Sequence, residues 1–269
     1  MGSDDRTWIA FCNGEEAGPY DLVIIADGGS ARTVYPELRG KPRQCQKWGA
    51  WWLSLPDPGL TFPNTLHQVF SGSRKLLGVM PTGLSYDCLE PSVSIFWGIR
   101  LDEAERWRGQ GVQKCREEML RIEPRLEGIL AHLYSEEQLT LARYYDHVSA
   151  SWSHRRVVLV GDAAHAMSPH LGQGANLAFQ DAAALTDCLA ANPDNISAAL
   201  RCYQRTREHH VRLYQFFSRV MSPLFQSDHA PLSLLRDTLL PVACKVPFIQ
   251  RRMLRVLRGE ASSIRRLLG

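Results

Sequence analysis

The chain has 269 residues, of which 45% are hydrophobic and 22% charged, with 20 Gly and 15 Pro. That composition supports one or two packed domains and excludes a disordered, collagenous or repeat protein. A net charge of +3 does not imply a nucleic-acid partner, and no apolar stretch reaches the roughly 18 residues that a membrane-spanning helix needs.

The N-terminal segment MGSDDRTWIAFCNG is acidic, with no basic stretch leading into an apolar one. No secretory signal is therefore read here, and a cytoplasmic location is expected. Seven cysteines (Cys12, Cys45, Cys88, Cys115, Cys188, Cys202, Cys244) are scattered, odd in number and without a C-x-x-C pair. They are expected to be buried reduced thiols rather than a zinc site or a disulfide framework.

In chain order, residues 8–12 form a short apolar run closed by Asn13-Gly14-Glu15-Glu16. This predicts one arm of a hairpin, with 21–26 as the other. The 21–26 run (DLVIIA) has little alternation, which suits a strand buried on both faces of a parallel sheet. Runs at 48–55, 66–71, 76–80 and 93–99, separated by Pro/Gly/Asn turns, predict an antiparallel sheet. A charged helix is expected over 102–119, with further helical structure to about 133.

A buried strand at 156–160 then runs into Gly161-Asp162. Residues 174–191 place Leu177, Ala184, Leu185, Cys188 and Leu189 at helical spacing, with Asp181 and Asp187 mostly off that face. Another helix is expected over 197–221, interrupted at Ser222-Pro223.

The most informative segment is VVLVGDAAHAMSPHLGQGAN at 157–176. A buried strand delivers Asp162 at its carboxyl end, where open α/β sheets bind ligands. Asp162 can accept hydrogen bonds from ligand hydroxyls. Gly172 and Gly174 allow close backbone approach, and the helix starting near Gly174 points free N–H groups and its positive dipole end at the same place. As a bare pattern, G-x-G before a helix is weak and reads more readily as a structural turn.

The whole run resembles the second flavin-binding motif of FAD-dependent aromatic hydroxylases, the class A flavoprotein monooxygenases of the p-hydroxybenzoate hydroxylase type. The resemblance implies that Asp162 binds the ribityl chain of FAD. It implies that Pro169, Gly172, Gln173 and Gly174 lie beside the flavin ring, with Gly174, Ala175 and Asn176 facing its pyrimidine side. Residues 21–28 are similar to the family's internal Asp-Gly motif, which assigns Asp27, Gly28 and Arg32 to the cofactor, although Ala31 stands where a Ser is expected. The sheet between the motifs, with Trp48, Trp51, Trp52, Phe70, Phe96 and Trp97, corresponds to the substrate-binding sheet. Those aromatics either line a pocket or form sheet core.

The family's opening strand, Gly-x-Gly-x-x-Gly turn and helix, which hold the FAD pyrophosphate, are missing from this sequence. The expected fold is therefore α/β: an incomplete Rossmann-like FAD-binding domain (1–45 and 150–225), an inserted antiparallel sheet (46–149) and a helical C-terminal extension (226–269). The implied activity is hydroxylation of an aromatic or apolar substrate with NAD(P)H and O2, through a flavin C4a-hydroperoxide.

The alternatives are a truncated, non-catalytic remnant or binding protein that needs a missing N-terminal FAD-binding segment, and a flavin-dependent reductase of related fold. No side chain is assigned as catalytic acid or base, and no metal spacing occurs. His165 is expected to pack or hydrogen-bond near the cofactor rather than relay protons. His209-His210, with Arg205, Arg207 and Arg212, reads as a solvated helix face. The basic amphipathic 248–258 segment, followed by Arg265 and Arg266, either packs on its own domain or touches an anionic membrane surface.

Overall fold

The computed structural model describes residues 6–29, 38, 44–84 and 89–260. In chain order the strands are β1 (Thr7–Ala10), β2 (Glu16–Tyr20), β3 (Val23–Ile25), β4 (Gln44–Pro56), β5 (His67–Ser71), β6 (Lys75–Leu84), β7 (Pro91–Arg100), β8 (Thr140–Asp146), β9 (Ser153–His154) and β10 (Val157–Leu159). The helices are α1 (Ala104–Gly109), α2 (Val112–Ile122), α3 (Glu127–Leu130), α4 (Asp162–His165), α5 (Gly174–Ala191), α6 (Ile196–Phe225), α7 (Ala230–Lys245) and α8 (Pro247–Leu257). The chain divides into two compact units: Met1–Gln44, Tyr145–Arg219 and Cys244–Gly269 form one, Cys45–Tyr144 and Val220–Ala243 the other. Residues 226–269 are thus not a separate extension but are shared between the two units.

In the first unit the Asn13–Gly14 turn does close a hairpin, helped by the Asn13 side chain accepting from the Glu15 N–H at 3.0 Å. Its second arm is β2, however, with Ile9 opposite Ala17. The 21–26 run is instead the parallel neighbour of β10, with Val158 opposite Ile24. A tight turn pairs the residues that follow it directly, which leaves the apolar run free for a longer-range partner. Ile25 is buried but Ile24 is 52% exposed, so this strand is not covered on both faces by the described residues.

The second unit is a five-stranded sheet in the order β5-β6-β7-β4-β8, antiparallel across β5–β6, β6–β7 and β7–β4. Side chains alternate across a strand, so Trp51, Leu53 and Leu55 of β4 share a face with Ile95 and Trp97 of β7. Met119 of α2 and Leu126, Leu130 and Leu133 close over that face as one core. Each such burial stabilises by about 1.5–3 kcal/mol. Trp97 meets Trp107 edge-on at 4.7 Å.

Two helix expectations are corrected. The 102–119 helix is two helices, because the chain breaks at Gln110–Gly111 with Gly111 at φ 79. The 197–221 helix runs on through Pro223 to Phe225. Tertiary contacts outweigh the proline there: Phe225 packs on Phe70 at 5.4 Å, and the Gln226 side chain donates to the Gly49 carbonyl at 3.4 Å. The thiols are also mixed rather than uniformly buried: Cys115 and Cys188 are buried, whereas Cys12, Cys45, Cys202 and Cys244 are exposed.

Candidate functional site

Strand β10 ends where the Val160 N–H donates to the Ile25 carbonyl at 3.1 Å. The chain then turns through Gly161 at φ 56, a conformation open to glycine. A side chain there would also lie 2.9 Å from Ala178 Cβ. The turn opens the single-turn helix α4 with Asp162, which is exposed between buried Gly161 and Ala163. Two glycines face this carboxylate. A Cβ at Gly29 would lie 3.9 Å from Asp162 Oδ2, and one at Gly174 would lie 3.7 Å from Asp162 Oδ1. Gly29, which follows Asp27-Gly28, and the start of α5 therefore both approach Asp162. Arg32 lies outside the described residues.

Pro169 begins a short 3-10 turn that ends at Gly172 in the left-handed region, φ 62. Helix α5 follows with no side-chain cap on its N-terminus. The N–H groups of Gly174, Ala175 and Asn176 have no intrahelical partner, and the helix dipole favours negative charge beside them. The side chains of Gln173 and Asn176 point elsewhere. Gln173 Nε2 donates to the Leu257 carbonyl at 2.6 Å and Asn176 Nδ2 to Gln173 Oε1 at 2.9 Å. Gln173 is 5% exposed, so what these two residues can offer a ligand is backbone.

Beneath the turn lies a network that alternation and motif reading missed. Asp181 is fully buried, contrary to its expected position off the packed face of α5. Its Oδ2 accepts from the Gly161 N–H at 3.0 Å and from His165 Nε2 at 2.5 Å, and its Oδ1 accepts from Arg207 Nε at 2.8 Å. Arg207 is 6% exposed, which corrects its reading as part of a solvated helix face. Its Nη2 donates to the Leu177 carbonyl at 3.3 Å and its Nη1 to Gln180 Oε1 at 2.9 Å. His209 is exposed as expected, while His210 is half-buried.

Burial raises the Asp181 carboxyl, but the His165, Arg207 and Gly161 donors outweigh it and hold the group below the ordinary carboxylate range. Burial also lowers His210, reinforced by the Arg207 charge. Burial pushes the Tyr203 hydroxyl well up.

Helix α6 also pins the segment after Asp162. Gln215 Nε2 donates to the His147 carbonyl at 2.9 Å, and the Ser168 and Ser218 hydroxyls are 2.8 Å apart. The His147 and Ser149 N–H groups donate to the Ala166 and Ala164 carbonyls at 3.0 and 2.9 Å. The one sequence signal that could have revealed these partners is the presence of polar residues at the core spacing of α6, at positions 207, 215 and 218.

In the second unit the aromatic residues divide. Trp48, Trp51 and Trp97 are buried core, while Trp52 is 37% exposed and stacks on Phe96 at 5.9 Å and 15°. The Phe96 ring occupies the space over Gly78, where a Cβ would lie 1.8 Å from Phe96 Cζ. A pocket of about 460 Å³ opens at the other end of this sheet, bounded by Asp57, Leu60, Phe62, Met80, Pro81 and Ser92. Among the described residues no group of three or more His, Cys, Asp or Glu could hold a metal, and no helix is long and apolar enough to cross a membrane.

Residues 88–215 match a family model described as FAD binding domain. The chain is 42% identical over 92 residues to 3-amino-4-hydroxybenzoate 2-monooxygenase PtnB3 of Streptomyces platensis, covering 34% of this chain and 23% of that protein. It is 51% identical over 64 residues to kynurenine 3-monooxygenase of Salinispora arenicola, covering 23% of this chain and 14% of that protein. Residues 88–215 thus match an FAD-binding family, and parts of the chain are similar in sequence to monooxygenases. Its fold is similar to that of a solved FAD-binding protein. The structure of Klebsiella pneumoniae HpxO complexed with FAD and uric acid superposes with a TM-score of 0.74 at 20% identity, over 100% of this chain and 66% of that one. The chain thus spans about two thirds of that solved protein, and its matches cover under a quarter of these two curated relatives.

Proposed function

We propose that this chain supplies the flavin-ring and ribityl half of an FAD site, together with the substrate sheet, of an NAD(P)H-dependent aromatic monooxygenase. The observation that carries the reading is the exposed Asp162 carboxylate, flanked by Gly29 and Gly174 and followed by the uncapped start of α5. These residues fit a flavin. Asp162 would accept from ribityl hydroxyls, and the Gly174, Ala175 and Asn176 N–H groups would donate to the electron-rich edge of the ring. Gly172 and Gly174 leave room for close approach, and Asp27-Gly28 would close the site from the strand side.

The bound flavin, once reduced, supplies the electrons that activate O2 for insertion of one oxygen atom into the substrate. No side chain of the chain is assigned a proton-transfer role. The stacked Trp52–Phe96 pair is assigned to the substrate as a surface for a planar aromatic ring. The relatives named for aminohydroxybenzoate and kynurenine support an aromatic substrate.

The pyrophosphate is a separate matter. No Gly-x-Gly-x-x-Gly turn occurs in the sequence, so no residue here is assigned to the pyrophosphate. Each charge-assisted hydrogen bond lost with it costs about 1.5–3 kcal/mol. That absence favours a second reading, in which the chain alone holds flavin too weakly to turn over.

The test is a visible-absorption titration of the full chain with FAD, FMN and riboflavin, alongside Asp162→Ala. Ring and ribityl recognition without pyrophosphate contacts predicts affinities for the three within about tenfold of one another, all weakened by about tenfold or more in the variant. A chain that leaves all three spectra unchanged refutes flavin binding by these residues alone.

A further inference from the structure

We infer that Asp181, held by His165 and Arg207, is the positioning residue that sets the Gly161–Asp162 turn and thereby aims the Asp162 carboxylate. This rests on the flavin reading of Asp162. Helix α4 is a single turn of four residues, Asp162–His165, too short to be stable by itself. It also opens on a glycine at φ 56, whose backbone has little preference of its own. Something outside the segment has to fix it.

One carboxylate oxygen does so from both ends. Asp181 Oδ2 accepts from the Gly161 N–H, just before the helix, and from His165 Nε2, its last residue. The other oxygen is turned to Arg207, which fixes the carboxylate plane through a donor of rigid geometry. Asp162 therefore sits on a turn clamped front and back by a fully buried anion.

Two further observations favour a clamp over a packing accident. His165 is 1% exposed, yet its Nδ1 is buried with no hydrogen-bond partner, so its polar contact is the bond to Asp181. A salt bridge serving stability alone would need only Arg207 and Asp181. Here a third bond runs to the backbone of the residue that precedes the ligand carboxylate.

The experiment crosses Asp181→Asn with Asp162→Ala in the full chain, reading flavin affinity by absorption titration and Gly161 amide protection by hydrogen exchange. Each single variant should weaken FAD by about tenfold or more, and the double variant should lose no more than the worse single, because Asp181 acts through Asp162. Additive losses would overturn the inference. If Asp181→Asn does not fold, His165→Ala replaces it, since it keeps Arg207 paired. A roughly threefold to tenfold loss of affinity with a faster Gly161 amide supports the clamp, and unchanged values overturn it.

Should the unaltered chain bind no flavin, the reading of Asp162 fails but the clamp is still decided. Gly161 must then exchange faster in the variant while the amides of α5 stay protected. Equal exchange in both proteins refutes it.

Discussion

The two units differ in how much polar bonding their centres contain. The centre of the sheet unit is apolar, with Leu53, Leu77, Val79, Ile95, Met119 and Leu130 all 1% exposed or less. The centre of the other unit is mixed: beside buried Val158, Leu177 and Val211, the polar residues Asp181, His165, Arg207, Gln215 and Ser218 are at most 6% exposed and bonded to one another or to backbone. Burying charge costs several kcal/mol per ion before pairing offsets it, so a polar centre is an inefficient way to gain stability. Its return is directional. Apolar contacts fill space, whereas hydrogen bonds fix the angle of a particular turn, and the turn fixed here carries Asp162.

Single truncations at the two centres should cost similar amounts and differ in whether they can be rescued. Trp97→Ala and Asp181→Ala should each destabilise by about 3–5 kcal/mol, measured by urea unfolding with hydrogen exchange resolving each unit. Replacing Asp181 and Arg207 together by Leu and Met should recover much of the second loss, because no unpaired charge remains. Failure of that double variant to recover would mean that the Gly161 bond, rather than the ion pair, dominates.

A smaller effect separates the units by pH. Burial opposes the ionisation of Glu123, but the Arg125 side chain outweighs it, with help from His67, and brings the carboxyl from 4.5 to about 2. A carboxyl lowered on folding contributes stability that is complete above its unfolded pKa and is lost as pH falls toward the folded one. Thermal midpoints followed by circular dichroism should therefore drop between roughly pH 4.5 and 2. Arg125→Gln should flatten that dependence in the sheet unit while leaving the part due to Asp181, which is lowered in the same direction.

The smallest expected effect on the fold is at Trp52, whose ring is 37% exposed. Trp52→Ala should cost about 1 kcal/mol or less, while weakening a planar aromatic ligand by about tenfold. An unchanged ligand titration would remove the Trp52–Phe96 face from the substrate assignment.

Much of this was legible in the residues, and the exceptions follow a rule. Strand-like runs set apart by Pro, Gly and Asn turns located β4 to β7, since turn residues mark where a strand must end. The run ending in Gly161-Asp162 and the glycines before α5 located the site, since close approach of backbone demands small residues. The second arm of the first hairpin was misassigned because two runs of similar β character compete for one turn. Pro223 was misread because its local cost is offset by Phe225 and Gln226, both bonded or packed against residues more than 150 positions away.

By itself, then, the sequence determined the run of strands in the sheet unit, the position of Asp162 at the end of a buried strand, and a resemblance to flavin-dependent hydroxylases. It left open which polar residues lie inside. Asp181 and Asp187 are both acids on one helix, yet Asp181 is buried and Asp187 exposed. That choice was made by α6, which brings Arg207 to 2.8 Å from 26 positions away in the chain. A buried charge is tolerated only where its partner arrives, and partners so distant in sequence meet only in the folded chain.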